Sequence, residues 1–223
     1  AQPELGLCFA PPLGFIHRQC SLHRFIAGDF MTAILAKYFL EKEGSGTIVY
    51  DIRSSLAVKD TVEAHNGKAL YNRVGHAFIK KRMMEEDAVF GGEVTGHYYF
   101  RDFYFSDSGV VPMLYLMDLL SHSDKTMAEL IDDYEANYNL AGEINTRGVV
   151  AKDVMERLQN IYGESANEVL TVDGLTFEFD TWRFNVRASN TEPLVRLNLE
   201  ADSVPLMEEK RDEVLAVIRE GLS

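Results

Sequence analysis

Apolar residues show no helical or strand spacing over the first 27 positions, where Ala10, Pro11, Pro12, Leu13 and Gly14 precede a mixed polar run through residues 17–23. Residues 1–27 are therefore expected to be irregular. From there the pattern sharpens. Phe30, Ile34, Leu35, Tyr38 and Phe39 recur at helical intervals, which predicts a helix with Asp29 as its N-cap and a stop near Gly44. A continuous apolar stretch predicts a strand over 47–52, followed by a helix over 55–65, a strand over 69–74 and a helix over 75–86. A strand over 88–90 then runs into Gly91 and Gly92. Strands alternating with helices of this length, on short links, predict right-handed crossovers and a mostly parallel sheet covered on both faces. The aromatic run 98–105 is expected to be strand and edge structure, and 110–120 returns to helical spacing in a unit that closes near Asn139.

Past Gly142 the order changes. A short strand is expected near Ile144, a helix over 149–162, and a strand over 168–172 that turns at Asp173 and Gly174 into a second over 175–179. Strands over 182–187 and 194–200 and a final helix over 205–222 follow. Consecutive strands flanked by helices imply an antiparallel sheet. The expected fold class is thus α/β: a mixed α/β layer domain over 28–142, then an α+β domain with an antiparallel sheet over 143–223.

Composition narrows the function. The chain has 223 residues, with 35 acidic against 22 basic side chains and a formal net charge of −13, a field that repels a phosphate backbone. Nucleic acid is not an expected partner. No stretch approaches the roughly 18 apolar residues of a membrane span, and the N-terminus lacks a basic region followed by an apolar one. A cytoplasmic protein with no membrane partner is expected, its two cysteines, Cys8 and Cys20, free thiols.

Three stretches carry candidate chemistry. In Gly91, Gly92, Glu93, Val94, Thr95, Gly96, His97, an acceptor, a hydroxyl and an imidazole stand at alternate positions of an extended loop, a comb that can grip the vicinal hydroxyls of a sugar. Between Arg187 and Arg196 lie Ser189, Asn190 and Thr191, small donors framed by guanidinium forks, which suits a phosphate. Gly75 and His76 open a helix whose free amides can face an anion, and Arg53 lies at the carboxyl end of a predicted parallel strand, where ligands of such folds collect. Each stretch taken singly is also compatible with an ordinary polar turn or solvated helix end. His17, His23, His65 and His122 have no metal-ligand spacing, no cluster of carboxylates fits a divalent ion, and no metal ligand is assigned.

The stretches GEVTGH at 92–97, VGHAFIKKRM at 74–83 and RASNTEPLVRL at 187–197, in that family's order and separation, resemble the α-D-phosphohexomutases, specifically the bacterial phosphomannomutase/phosphoglucomutase branch. The resemblance implies four domains around a cleft, of which this chain covers the third and fourth, with residues 1–27 as an irregular remnant of the second. It implies interconversion of hexose 6-phosphate and hexose 1-phosphate through a phosphoserine, with mannose or glucose phosphates as ligands. Glu93, Thr95 and His97 would bind sugar hydroxyls; Arg187, Ser189, Asn190, Thr191 and Arg196 would hold the distal phosphate; His76 and Arg53 would sit near the transferred phosphoryl group. The family's magnesium ligands are expected to be absent, because residues 10–15 read Ala-Pro-Pro-Leu-Gly-Phe where it carries an aspartate-rich loop. With the phosphoserine and the N-terminal domains also missing, the chain alone is expected to be inactive. A phosphoglucosamine mutase and a non-catalytic sugar-phosphate binding module are the alternatives.

Overall fold

The computed structural model describes residues 25–189 and 191–222. The expectations for residues 1–24, with Cys8, Cys20, His17, His23 and the 10–15 window, and the assignment of Asn190, lie outside the described residues.

Helix α1 (Gly28–Glu43) is stopped by Gly44, whose amide donates to the Leu40 carbonyl from a left-handed conformation. It precedes β1 (Gly46–Asp51), α2 (Leu56–Ala64), β2 (Gly67–Asn72), α3 (His76–Glu85) and β3 (Phe90–Gly92). Strands β4 (Tyr98–Phe100) and β5 (Ser106–Asp107) and helices α4 (Val110–Ser121) and α5 (Met127–Glu135) follow. The sheet order is β2-β1-β3-β4-β5; β1 pairs in parallel with β2 and β3, whereas the β3–β4 and β4–β5 pairs are antiparallel. The sheet is mixed because the aromatic run turns straight back on β3, a link too short for a crossover helix. Successive side chains alternate faces. Ile48, Tyr50, Phe90 and Phe100 pack under α1, α4 and α5, while Val49 and Tyr99 meet Ile79 and Met83 of α3 on the other face.

Asp29 does not cap α1 as expected: the cap position is Ala27, and the Asp29 carboxylate instead accepts from the Ser55 amide at 3.0 Å, at the start of α2.

The second sheet is built from β6 (Asn139–Arg147), β7 (Glu168–Leu170), β8 (Leu175–Glu178), β9 (Trp182–Ala188) and β10 (Leu194–Ala201), in the order β6-β10-β9-β8-β7 and antiparallel throughout. Helices α6 (Ala151–Tyr162) and α7 (Val204–Ile218) cover one face. Trp182, Phe184 and Val186 of β9 and Val195, Leu197 and Leu199 of β10 fill that core. The intervening positions, Arg183, Asn185, Arg187, Arg196, Asn198 and Glu200, point to the other face, where most are nonetheless buried. Arg183 and Glu200 are covered by the segment that follows β1. Arg183 donates to the Ser54 and Ile52 carbonyls at 2.6 and 3.0 Å, and Glu200 accepts from the Ser55 hydroxyl and the Leu56 amide at 2.6 and 2.7 Å. Among the described residues no helix is long and apolar enough to cross a membrane.

Candidate functional site

The parallel strand β1 delivers Asp51 and Arg53 to the seam between the two sheets. Both are buried, and the Arg53 guanidinium donates to both Asp51 oxygens, at 3.0 and 2.9 Å. Burial alone would pull the Arg53 pKa down, but the Asp51 carboxylate, with Glu143 and Glu93, outweighs it and raises the group above its ordinary value. Asp51 Oδ2 also accepts from the Val94 amide at 2.9 Å, so the same carboxylate that orients Arg53 anchors the loop after β3.

That loop is a turn and not the extended comb its sequence predicts. The Glu93 amide donates to the His97 carbonyl, the Gly96 amide to the Glu93 carbonyl, and Gly96 takes φ +82°, a conformation favouring glycine. Glu93, Thr95 and His97 therefore do not point one way. Glu93 is only 2% exposed, accepting from the Tyr99 hydroxyl at 2.5 Å and from the Gly75 amide at 3.3 Å. Thr95 is exposed. His97 is half-buried, its Nδ1 2.8 Å from Asp107 Oδ2, and its ring lies 4.1 Å from that of His76, the first residue of α3. Gly91 and Gly92 do not open a ligand loop either. They lie within β3, where an added Cβ at Gly91 would stand 2.6 Å from Met83 Sδ, and one at Gly92 would stand 2.5 Å from Thr32 Oγ1. Their smallness lets α3 and α1 close on opposite faces of the strand.

The arginine-framed loop lies at the joined ends of β9 and β10. Arg187 and Arg196 are cross-strand partners, and the Arg196 guanidinium reaches the Ser189 hydroxyl at 3.4 Å, as does the Thr191 amide. A residue that nothing in the sequence singles out ties this loop to Arg53. Glu143 of β6 accepts from Arg196 at 2.7 Å and from Arg53 and Arg187 at 3.4 Å each, so three guanidinium groups converge on one carboxylate. The Nε atoms of Arg187 and Arg196 are buried without a hydrogen-bond partner in the structure. Burial, joined by the Arg53 charge, lowers the Arg187 pKa, with Glu143 acting in the opposite sense. Donors thus exceed acceptors here.

Between the sheets runs a groove of about 720 Å³ lined by Thr95 and Arg53 on one side and Glu143 and Asn198 on the other, with Phe25 and Tyr138. Thr95, Arg53 and the carboxylate that gathers the arginines are brought to one void. His76, Glu93, His97, Arg187, Ser189, Thr191 and Arg196 lie outside its lining. Asp29 also lines the groove, and burial pushes its pKa up to about 7, the Ser55 amide pulling the other way.

Both halves of this arrangement have known counterparts. Residues 27–138 match the family model described as phosphoglucomutase/phosphomannomutase, alpha/beta/alpha domain III, and residues 139–217 match that described as phosphoglucomutase/phosphomannomutase, C-terminal domain. The phosphomannomutase of Escherichia coli (strain K12) is 41% identical over 198 residues, covering 88% of this chain and 43% of that protein. A phosphomannomutase of Methanocaldococcus jannaschii is 38% identical over 218 residues, covering 96% and 47%. The crystal structure of a phosphoglucomutase/phosphomannomutase family protein from Burkholderia thailandensis superposes with a TM-score of 0.77 at 25% identity, covering 90% of this chain and 43% of that one. The chain spans less than half the length of these relatives.

Proposed function

Since the chain belongs to the phosphoglucomutase/phosphomannomutase family, we propose that it is the C-terminal part of a phosphohexomutase and supplies the sugar- and phosphate-binding half of its cleft. Residues 28–142 form the sugar-binding domain in this reading and 143–223 the phosphate-binding one. The observation that carries it is the convergence of Arg53, Arg187 and Arg196 on the single carboxylate of Glu143, beside the Ser189 and Thr191 hydroxyls. Guanidinium forks with unpaired Nε groups suit a phosphate monoester, which offers several acceptor oxygens to one planar donor set.

In the reaction of the whole enzyme, a phosphoserine transfers its phosphoryl group to a hexose phosphate and recovers a phosphoryl group from the other end of the reoriented bisphosphorylated sugar. This chain positions and neutralises, the two contributions that dominate such transfers. Arg187, Ser189, Asn190, Thr191 and Arg196 hold whichever phosphate is not reacting; Glu93, Thr95 and His97 take sugar hydroxyls; Arg53 and His76 face the transferred group. Glu93 keeps free lone pairs beside its bonds to Tyr99 and Gly75, so its carboxylate can accept from a sugar hydroxyl that reaches it. Magnesium is implied for the whole enzyme. Among the described residues the group with metal-ligand spacing is His76, His97 and Asp107, and two imidazole nitrogens with one carboxylate do not fit a cation that takes oxygen ligands. We infer that the magnesium ligands lie outside the described residues.

Calorimetry with mannose 1-phosphate on the chain and on Arg187→Ala tests this. Saturable binding weakened about tenfold or more by the substitution is expected, without turnover in a coupled mutase assay. Heat that Arg187→Ala leaves unchanged would refute the phosphate assignment, and magnesium-dependent turnover by the chain alone would refute its inactivity.

A further inference from the structure

Folding brings together three metal-ligating side chains that are far apart in the sequence. His76 opens α3, His97 precedes β4, and Asp107 ends β5; one ligand atom from each lies within 4.8 Å of the other two. His97 Nδ1 is 2.8 Å and His76 Nδ1 3.9 Å from the same oxygen, Asp107 Oδ2. A tetrahedral zinc ion with bonds of about 2.0–2.2 Å sets its ligand atoms about 3.3 Å apart. The two separations from Asp107 straddle that value, one short and one long, and the ligand atoms of the two histidines lie within 4.8 Å of each other, so side-chain rotation draws the three into a tetrahedral set. The cluster is also braced from behind. The Tyr98 amide donates to Asp107 Oδ1 at 3.1 Å, which fixes the carboxylate and leaves Oδ2 directed at the histidines. The Tyr99 ring meets the His76 ring edge-on at 5.6 Å, and Tyr99 is itself held by Glu93. Such support orients ligands at metal sites.

We infer that His76, His97 and Asp107 form a binding site for a divalent transition-metal ion, with zinc the best fit. Two imidazoles and one carboxylate are the ligand types of zinc and its neighbours, and not of magnesium or calcium. Three protein ligands leave a fourth position, which the half-exposed His76 side chain keeps open to water or an anion. His76 and His97 are shared with the substrate roles proposed above, and the inference rests on the geometry of these three side chains and not on those roles.

Titrating the metal-stripped chain with zinc chloride in a calorimeter tests it, beside His76→Ala, His97→Ala and Asp107→Asn, each first verified as folded by circular dichroism. One zinc per chain is expected, with affinity reduced at least ~10-fold in two or more of the variants. Cobalt(II) in place of zinc is expected to give a visible ligand-field band without thiolate charge transfer, which excludes Cys8 and Cys20 as the ligands. Absence of binding, a thiolate band, or a smaller loss in two of the three variants would overturn the site.

Discussion

At the scale of single residues, two carboxylates at the seam have opposite uses. Asp29 is half-buried, and desolvation raises its pKa to about 7 from an ordinary 3.8. A carboxyl whose folded pKa is raised holds its proton in the native state while the unfolded chain has already lost it, so stability falls as pH rises from about 4 to about 7 and is then flat. The shift corresponds to at most roughly 4 kcal/mol. An asparagine side chain at this position would keep the acceptor for the Ser55 amide without the charge, so Asp29→Asn is expected to be more stable than the parent near pH 7 and to lose that slope, as urea unfolding across the pH range would reveal. Glu143 is partly exposed and already paired with three arginines. As the carboxylate occupying the donors that a phosphate would need, it competes with one. Glu143→Gln is therefore expected to bind inorganic phosphate about tenfold more tightly by calorimetry, a gain of about 1.4 kcal/mol; weaker binding would mean that Glu143 chiefly orients the guanidiniums.

At the scale of elements, apolar periodicity made most helices and strands legible because their buried faces repeat every 3.6 or 2 residues. Where other forces set the structure, it was less informative. Strand β6 runs from Asn139 to Arg147, well beyond the short strand expected near Ile144, because it is an edge strand with several polar, half-exposed positions. Helix α5 was not among the expected elements, although Thr126 and Glu129 form a capping box at its start, a local signal independent of periodicity. Gly91 and Gly92 looked like a ligand loop because glycine carries the same letter whether a turn or a neighbouring helix demands it. The distinction yields a test. Thr32 is β-branched, and its hydroxyl is bonded to the Gly28 carbonyl at 2.8 Å, so it cannot easily yield to a methyl group at position 92. Gly92→Ala is expected to destabilise by about 1–3 kcal/mol, measured by chemical denaturation, even though alanine restricts the unfolded chain. In the candidate site, Arg187 and Arg196 were legible because arginines framing small donors stand out in an acidic chain, and Arg53 because it follows a predicted parallel strand. Glu143 and Asp107 were not, since nothing near them in sequence marks them: Glu143 is brought in by pairing of the distant strands β6 and β10, and Asp107 by the short β4–β5 pair.

At the scale of the molecule, the alternation in β9 and β10 has two buried faces, one apolar and one polar, and the polar one joins the halves. Its centre is Arg183, 6% exposed, which donates to two carbonyls at the end of β1 and pairs with Glu200 at 3.7 Å. This latch keeps Arg53 beside Glu143 and the arginine-framed loop, so the joint geometry of the groove depends on it. Each half has its own apolar core, and neither core includes the latch residues. Arg183→Met would preserve much of the length of the side chain but leave two buried carbonyls without their donor and Glu200 without its cation, a loss of about 3–5 kcal/mol for a buried ionic contact. The loss falls on the coupling between the halves. Differential scanning calorimetry is therefore expected to resolve the parent's single transition into two in the variant, the weaker of them at lower temperature, together with weaker binding of mannose 1-phosphate. A single transition at the parent's temperature would show that the cores, and not this polar face, hold the two halves in register.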